Sequence, residues 1–204
     1  PAFQAGCCGF EPHRPLSRAA RKGRPVQQEV PYSRAIVLKY PEQVAIAIAR
    51  DPQGKYNPIT LGWTMIVSHV PPMMAVAIGR TRYSLEAFRH AGQFTLAFPS
   101  EHQKDEAMLF GTRSGRDMDK LAAAGCPTQP ARRIDSVLLA DAVANFECRV
   151  VSELATGDHV IFVGEVVCSH VHDPPLNRLY TVAEGFAMGG LARAPAAGAP
   201  RCRR

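Results

Sequence analysis

A chain of 204 residues is long enough for one domain with a sizeable core and short for two. No apolar run approaches the ~20 residues that cross a bilayer, so no membrane partner is expected. The net charge of +6 belongs to the ends: residues 1–26 carry Arg14, Arg18, Arg21, Lys22 and Arg24 against Glu11, and residues 191–204 carry Arg193, Arg201, Arg203 and Arg204 with no acid. What lies between is slightly acidic, and since a nucleic-acid reader needs a basic face on its folded part, no nucleic-acid partner is expected either.

Both ends are rich in Pro, Ala, Gly and Arg without apolar periodicity, and are expected to be disordered extensions (1–26 and 191–204) around one domain at 27–190. The opening has no apolar stretch of the signal-peptide kind, so none is expected. Of the six cysteines, Cys7, Cys8 and Cys202 fall in the ends, while Cys148 and Cys168 sit in strand-like apolar runs where a cysteine acts as a small hydrophobe. No C-x-x-C pair occurs. The usage suits a reducing, cytoplasmic setting.

In chain order, Pro31–Tyr40 reads as a short lead-in ended by Pro41. Val44–Ala49 alternates large residues with alanines, the period of a strand, and its alanine face has room for another backbone or a flat ligand. Asp51-Pro52-Gln53-Gly54-Lys55 is turn chemistry. A second strand is expected from about Tyr56 to Val67, broken by Pro71-Pro72, and a third over Met73–Ile78. A short helix follows from Ser84, a plausible N-cap, to a stop at Gly92. Phe94–Phe98 reads as a fourth strand. Ser100-Glu101-His102-Gln103 has capping-box form and opens a helix to Phe110, closed by Gly111. Another helix is expected from about Asp117 to Gly125. Val143–Leu154 and His159–Cys168 form a hairpin around Gly157-Asp158, and Leu179–Leu191 holds one more strand. Strands do not alternate with long helices, so a mainly β fold, a mostly antiparallel barrel with short helical insertions, is expected over a doubly wound sheet.

Asn57 to Ser84 carries the most chemistry. Thr60, Thr64 and Ser68 recur every four residues and would share one face of a regular strand. Gly62 beside Trp63, the lone tryptophan, marks a place where a strand turns irregular and frees main-chain N–H groups. Arg80, Thr81, Arg82 and Ser84 gather phosphate-ligand types where a helix N-terminus adds partial positive charge. A hairpin with a threonine-rich exposed face and a capped helix explains the same residues slightly better, because threonine is common in strands. Arg113, Arg116 and Lys120 read first as a solvated helix start, and otherwise as contacts to a phosphate or a partner subunit. Cys168, His170 and His172 alternate as metal ligands could, but an edge strand running into Pro174-Pro175 is the better explanation, and no metal site is assigned.

The stretch N-P-I-T-L-G-W-T-M-I-V-S-H-V-P-P-M-M-A-V-A-I-G-R-T-R-Y-S resembles the flavin-binding region of the flavin reductase-like, FMN-binding split-barrel family, which includes flavoredoxin-like proteins. The likeness extends through Phe94–Pro99, Gly111–Lys120, Phe146-Glu147-Cys148 and Gly157–Val166, in order and over roughly residues 30–190. The resemblance implies a Greek-key split β-barrel that forms a homodimer and binds FMN, with FAD as the alternative. It implies that Asn57, Thr60, Gly62, Trp63, Thr64 and Met65 line the ring, and that Ser68, Arg80, Thr81, Arg82, Tyr83 and Ser84 serve the ribityl chain and phosphate. It places His159 of the Gly-Asp-His motif near the flavin face, orienting NAD(P)H as co-substrate, although a histidine opening a strand after Gly-Asp also reads as a simple turn residue. The implied activity is hydride transfer from NAD(P)H to flavin, with electrons passed to free flavin, a metal complex or a redox protein acceptor. A flavoredoxin-like electron carrier without its own nicotinamide site is the alternative.

Overall fold

The computed structural model describes residues 27–191. The extensions expected at the two ends lie outside these residues, except Leu191, which closes a strand. Compactness divides the chain after Ile36. Residues 27–36 contain one element, the short helix α1 (Tyr32–Ile36), with no buried residue. The second unit begins with a 3-10 turn at Val37–Lys39. It continues through β1 (Glu42–Gln43), β2 (Ala45–Arg50), β3 (Tyr56–Leu61), β4 (Thr64–His69), β5 (Pro72–Gly79), α2 (Ser84–Ala91), β6 (Gln93–Pro99), α3 (Lys104–Thr112) and α4 (Lys120–Ala124). The remaining strands are β7 (Thr128–Pro130), β8 (Val137–Leu139), β9 (Ala142–Thr156), β10 (His159–Val171), β11 (Arg178–Ala183) and β12 (Ala187–Leu191).

Seven strands form one antiparallel sheet in the order β3-β2-β6-β9-β10-β5-β4. Its two edge strands, β3 and β4, are neighbours in sequence, joined only by Gly62 and Trp63. Two linking residues span at most about 11 Å from Leu61 to Thr64, so the sheet must curl until its edges meet. No ladder joins those edges among the described residues, so the barrel is split along that seam. The β5-to-β6 connection passes through α2 and skips β10 and β9, a Greek-key crossover. The fold is mainly β, as the alternation of the strands implies. The strand expected over Tyr56–Val67 is two strands, because the chain leaves one edge at Leu61 and joins the other at Thr64.

Alternate residues of the strands fill the interior: Ala45, Ala47 and Ala49 from β2, Met74, Val76 and Ile78 from β5, Phe94 and Leu96 from β6, and Val160 and Phe162 from β10. Leu85 and Phe88 of α2 close one end of this cluster. The alanine face of β2 therefore admits core aromatics rather than a ligand; Phe88 and Phe94 stack with centroids 5.0 Å apart. Gly164 belongs to the same packing, since a Cβ there would come within 2.8 Å of the Phe94 ring. The opposite face of β2 and β6 (Ile46, Ile48 and Ala97) is buried under Phe110 of α3, Leu139 of β8, Leu179 of β11 and Met188 of β12. That double burial explains the unbroken apolar run in β2.

Several local expectations shift. Tyr83, not Ser84, occupies the N-cap position of α2, and no side chain caps it. Gly92 and Gly125 take left-handed conformations at the ends of α2 and α4. Gln103 reaches back to the Ser100 N–H at 3.2 Å, but the helix it announces runs through Gly111 to Thr112. α4 starts at Lys120, capped by Asp119, which accepts from the Ala122 N–H at 3.1 Å. The last segment holds two strands, and β11 pairs with both β12 and β1.

Candidate functional site

Two clefts meet beside the seam. The first, of about 310 Å³, lies between β3, α3 and the β11–β12 hairpin, and its lining includes Thr60, Gly62, Arg82, Met108 and Phe186. Its walls come close because small residues face each other: a Cβ on Gly111 would lie 3.4 Å from the Thr60 Cβ, and one on Gly62 would lie 3.1 Å from the Glu42 Cδ. Thr60 donates its hydroxyl to the Ala107 carbonyl at 2.7 Å, tying β3 to α3. Phe186 is a non-glycine residue at φ 60, a conformation costly for a bulky side chain, and it stays 66% exposed at the rim.

The second cleft, of about 210 Å³, shares Arg82, Gly111 and Thr112 with the first and adds Thr81, Ser84, Arg113, Arg116 and Lys120. Lys120 is 3% exposed; its ammonium donates to the Phe110 carbonyl at 3.3 Å and has no carboxylate partner among the described residues. Burial, helped by the nearby Arg82 charge, lowers its pKa to about 8. Asn57 is buried behind Ser84 and Gly115, donating to the Ser84 hydroxyl at 2.8 Å, while its own Oδ1 has no partner among the described residues. A Cβ on Gly115 would reach 2.2 Å from that oxygen, so only glycine lets the 114–116 loop approach. The buried Lys120 and the arginines Arg82, Arg113 and Arg116 give this cleft a cationic lining of the kind that suits an anion. Tyr83 turns its hydroxyl away, donating to Asp51 at 3.0 Å, and Arg116 lies over its ring.

Trp63 stands at the seam, 50% exposed, and its carbonyl accepts from the Ala77 N–H at 3.0 Å. His159 packs against it with ring centroids 4.5 Å apart. Asp158 meets His159 Nδ1 at 2.7 Å; this hydrogen bond, and the imidazole's charge when protonated, hold the Asp158 carboxyl below its ordinary pKa. A Cβ on Gly79 would lie 3.6 Å from His159 Nε2 and 3.5 Å from Arg82 Cγ, so the histidine and the cleft arginine flank the same glycine. Arg80 is directed elsewhere: its Nε donates to the Gly157 carbonyl at 3.0 Å, and it does not line the cationic cleft.

Thr60, Thr64 and Ser68 do not share one face. The seam separates the first two, and a bulge between Ile66 and Ser68 displaces the third. Thr64 donates its hydroxyl to the Ala75 carbonyl at 2.8 Å, and its carbonyl accepts from the Gln43 side chain. Met65 and Ser68 line a different cavity of about 500 Å³ at the barrel end opposite α2, with Met73, Phe146 and Arg178. Of the residues singled out in the sequence, Thr60, Gly62, Thr81, Arg82 and Ser84 line these two clefts, and Asn57 is buried behind Ser84. It missed Phe186 and the burial of Lys120, which neither local spacing nor charge discloses.

The family described as flavin reductase like domain matches residues 37–187. The chain is 34% identical over 147 residues to the actinorhodin polyketide dimerase of Streptomyces coelicolor, covering 72% of this chain and 80% of that one. It is 30% identical over 138 residues to a flavin reductase (NADH) of Kitasatospora aureofaciens, covering 65% and 68%. Among solved structures, the flavoredoxin of Methanosarcina acetivorans shares the fold with a TM-score of 0.73 at 22% identity, over 86% of this chain and 96% of that one. The chain spans only 64% of the length of one curated relative and 43% of another. With three quarters of its length matched, the chain belongs to the flavin reductase like domain family.

Proposed function

We propose that the chain is an FMN-binding oxidoreductase of the flavin reductase type that takes a hydride from NAD(P)H. Electrons then pass to free flavin, a metal complex or a protein acceptor. The observation that carries this reading is the pair of joined clefts around Arg82, one close-walled and one cationic, with Lys120 buried and without a carboxylate partner among the described residues. Thr60, Gly62 and Phe186 would hold the flat ring, and Thr81, Arg82, Ser84 and Lys120 the phosphate. FAD is the alternative cofactor. The bound flavin would supply the two-electron chemistry; the protein supplies binding, orientation and local charge.

In this reading Lys120 keeps its proton when an anion arrives, and Arg82 neutralises that anion while bridging both clefts. His159, pinned by Asp158 through Nδ1 and packed against the Trp63 ring, has no hydrogen-bond partner on Nε2 among the described residues and would orient a nicotinamide with it. Trp63, Met65, Val151 and Leu154 are exposed apolar residues on and beside the sheet, and such exposed apolar surface supports a homodimer. A cytoplasmic location follows in the proposal from the cysteine usage.

The purified protein is expected to show flavin absorbance, and NADH or NADPH is expected to bleach it without oxygen. Bleaching by neither nucleotide, with reduction by a partner protein instead, would replace this reading with a flavoredoxin-like carrier. No flavin bands on the protein after incubation with FMN and FAD and removal of the free flavin would sink both.

A further inference from the structure

The alternating Cys168, His170 and His172 are not one ligand set in the structure, but two of them join another. β10 ends at Val171, and His172 places Nδ1 2.6 Å from the Pro174 carbonyl. Its place is taken by Glu147, from the neighbouring strand. The cause is a β-bulge. Val166 lies opposite Cys148, which is in the barrel interior; one residue is then gained on β10, and Cys168 lies opposite Glu147. In a regular strand Cys168 would follow Val166 to the interior face, and the bulge re-aims it. The Cys168 thiol, a His170 ring nitrogen and a Glu147 carboxylate oxygen lie within 4.8 Å of one another.

We propose that Glu147, Cys168 and His170 form a binding site for one borderline-soft divalent cation of the zinc type, with a fourth coordination position left open. Sulfur, nitrogen and oxygen ligands from three side chains match zinc and its near relatives rather than calcium or magnesium. Around a tetrahedral zinc, ligand atoms lie about 3.3–3.8 Å apart. His170 Nε2 and Glu147 Oε1 stand 2.7 Å apart, so they must open by about half an ångström, and the thiol need move only about an ångström. Glu147 is already oriented: its carboxylate accepts the Arg132 N–H at 2.9 Å and the Arg133 N–H at 2.6 Å. Such outer bonds fix a ligand for its metal. The cation would take the place of the direct contact between His170 Nε2 and Glu147 Oε1. Cys168 lines the cavity at the barrel mouth, and the His170 side chain is 21% exposed, which gives an ion a way in.

The test titrates the full-length protein, chelator-treated and kept reduced, with Co²⁺, read as a difference spectrum. A thiolate-to-cobalt charge-transfer band with intense tetrahedral bands, saturating at one ion per chain and reversed by Zn²⁺, is expected. C168S should abolish the charge-transfer band, and H170A should weaken binding about tenfold or more. No charge-transfer band on the wild-type protein overturns the proposal. The same band on C168S also overturns it, because other cysteines would then hold the ion. C168S and H170A leave the Glu147 main-chain bonds intact, so a folding failure need not obscure the result.

Discussion

Lys120 and Glu147 are both nearly sealed from solvent, at 3% and 0% exposure, yet the fold treats them in opposite ways. Burial alone would raise the Glu147 carboxyl, but the Arg132 N–H, His170 and the Arg133 N–H together hold it below its ordinary value. Lys120 receives one carbonyl and the repulsion of Arg82. An unpaired buried charge is destabilising unless something compensates it. The first charge is completed by its own chain and fastens the 131–136 loop to the sheet. The second has no carboxylate partner among the described residues, so in the proposed reading an anion from outside completes it, whereas Glu147 holds its loop with or without the proposed cation.

The largest expected effect tests the Glu147 half. Glu147→Ala removes the acceptor of two main-chain N–H groups and of His170, and should cost about 3 kcal/mol in urea unfolding. A loss below about 1 kcal/mol would mean the loop does not depend on the carboxylate. Arg82→Ala should weaken FMN binding by about 1.5–3 kcal/mol, roughly ten- to 150-fold, by fluorescence titration. Lys120→Met should also weaken FMN binding, by about tenfold, while leaving the unliganded protein equally or more stable. A destabilised Lys120→Met protein would place this lysine with Glu147 as a structural group.

The pH dependence sharpens the same contrast. Unliganded Lys120 loses its proton near pH 8, whereas an unfolded lysine loses it near 10.5. Its burial penalty is therefore full below pH 8 and gone above 10.5. FMN binding should weaken as pH rises past about 8, by at most about tenfold per unit, because binding must then recapture a proton. Flat affinity from pH 7 to 9.5 would remove Lys120 from the phosphate site. The smallest effect is expected of Arg80→Ala, about fivefold or less, since that guanidinium holds the Gly157 turn. His159→Ala should leave flavin bound and slow its reduction by NAD(P)H in stopped-flow absorbance; an equal rate removes the histidine from that role.

Long amphipathic elements were legible in the sequence. β9, β10 and the turn at Gly157-Asp158 follow from alternation and turn chemistry, and β2, β5 and β6 from apolar runs between punctuating residues. The two-residue β1 has no period to detect, and the Gly189-Gly190 stretch of β12 looks like a loop until β11 pairs with it. Within the site, the hydroxyl and arginine cluster announced itself through composition. The separation of Thr60 from Thr64 did not, because a switch of sheet edge depends on long-range closure rather than local spacing. Glu147 was equally hidden: between Phe146 and Cys148 a charged residue reads as the solvent face of a strand. The loop that covers it joins β7 to β8, two three-residue strands that carry no signal of their own.

Gly62 and Trp63 are the whole connection between the two free edges of the sheet. A molecule gripping Gly62 and Thr60 on one side and Trp63 on the other would act as a clasp across a gap that no main-chain ladder closes. The seam would then be the first part of the barrel to breathe when the clefts are empty. Amide exchange at Leu61, Trp63 and Thr64 should slow on FMN addition well before the deeper strands β2 and β6 respond.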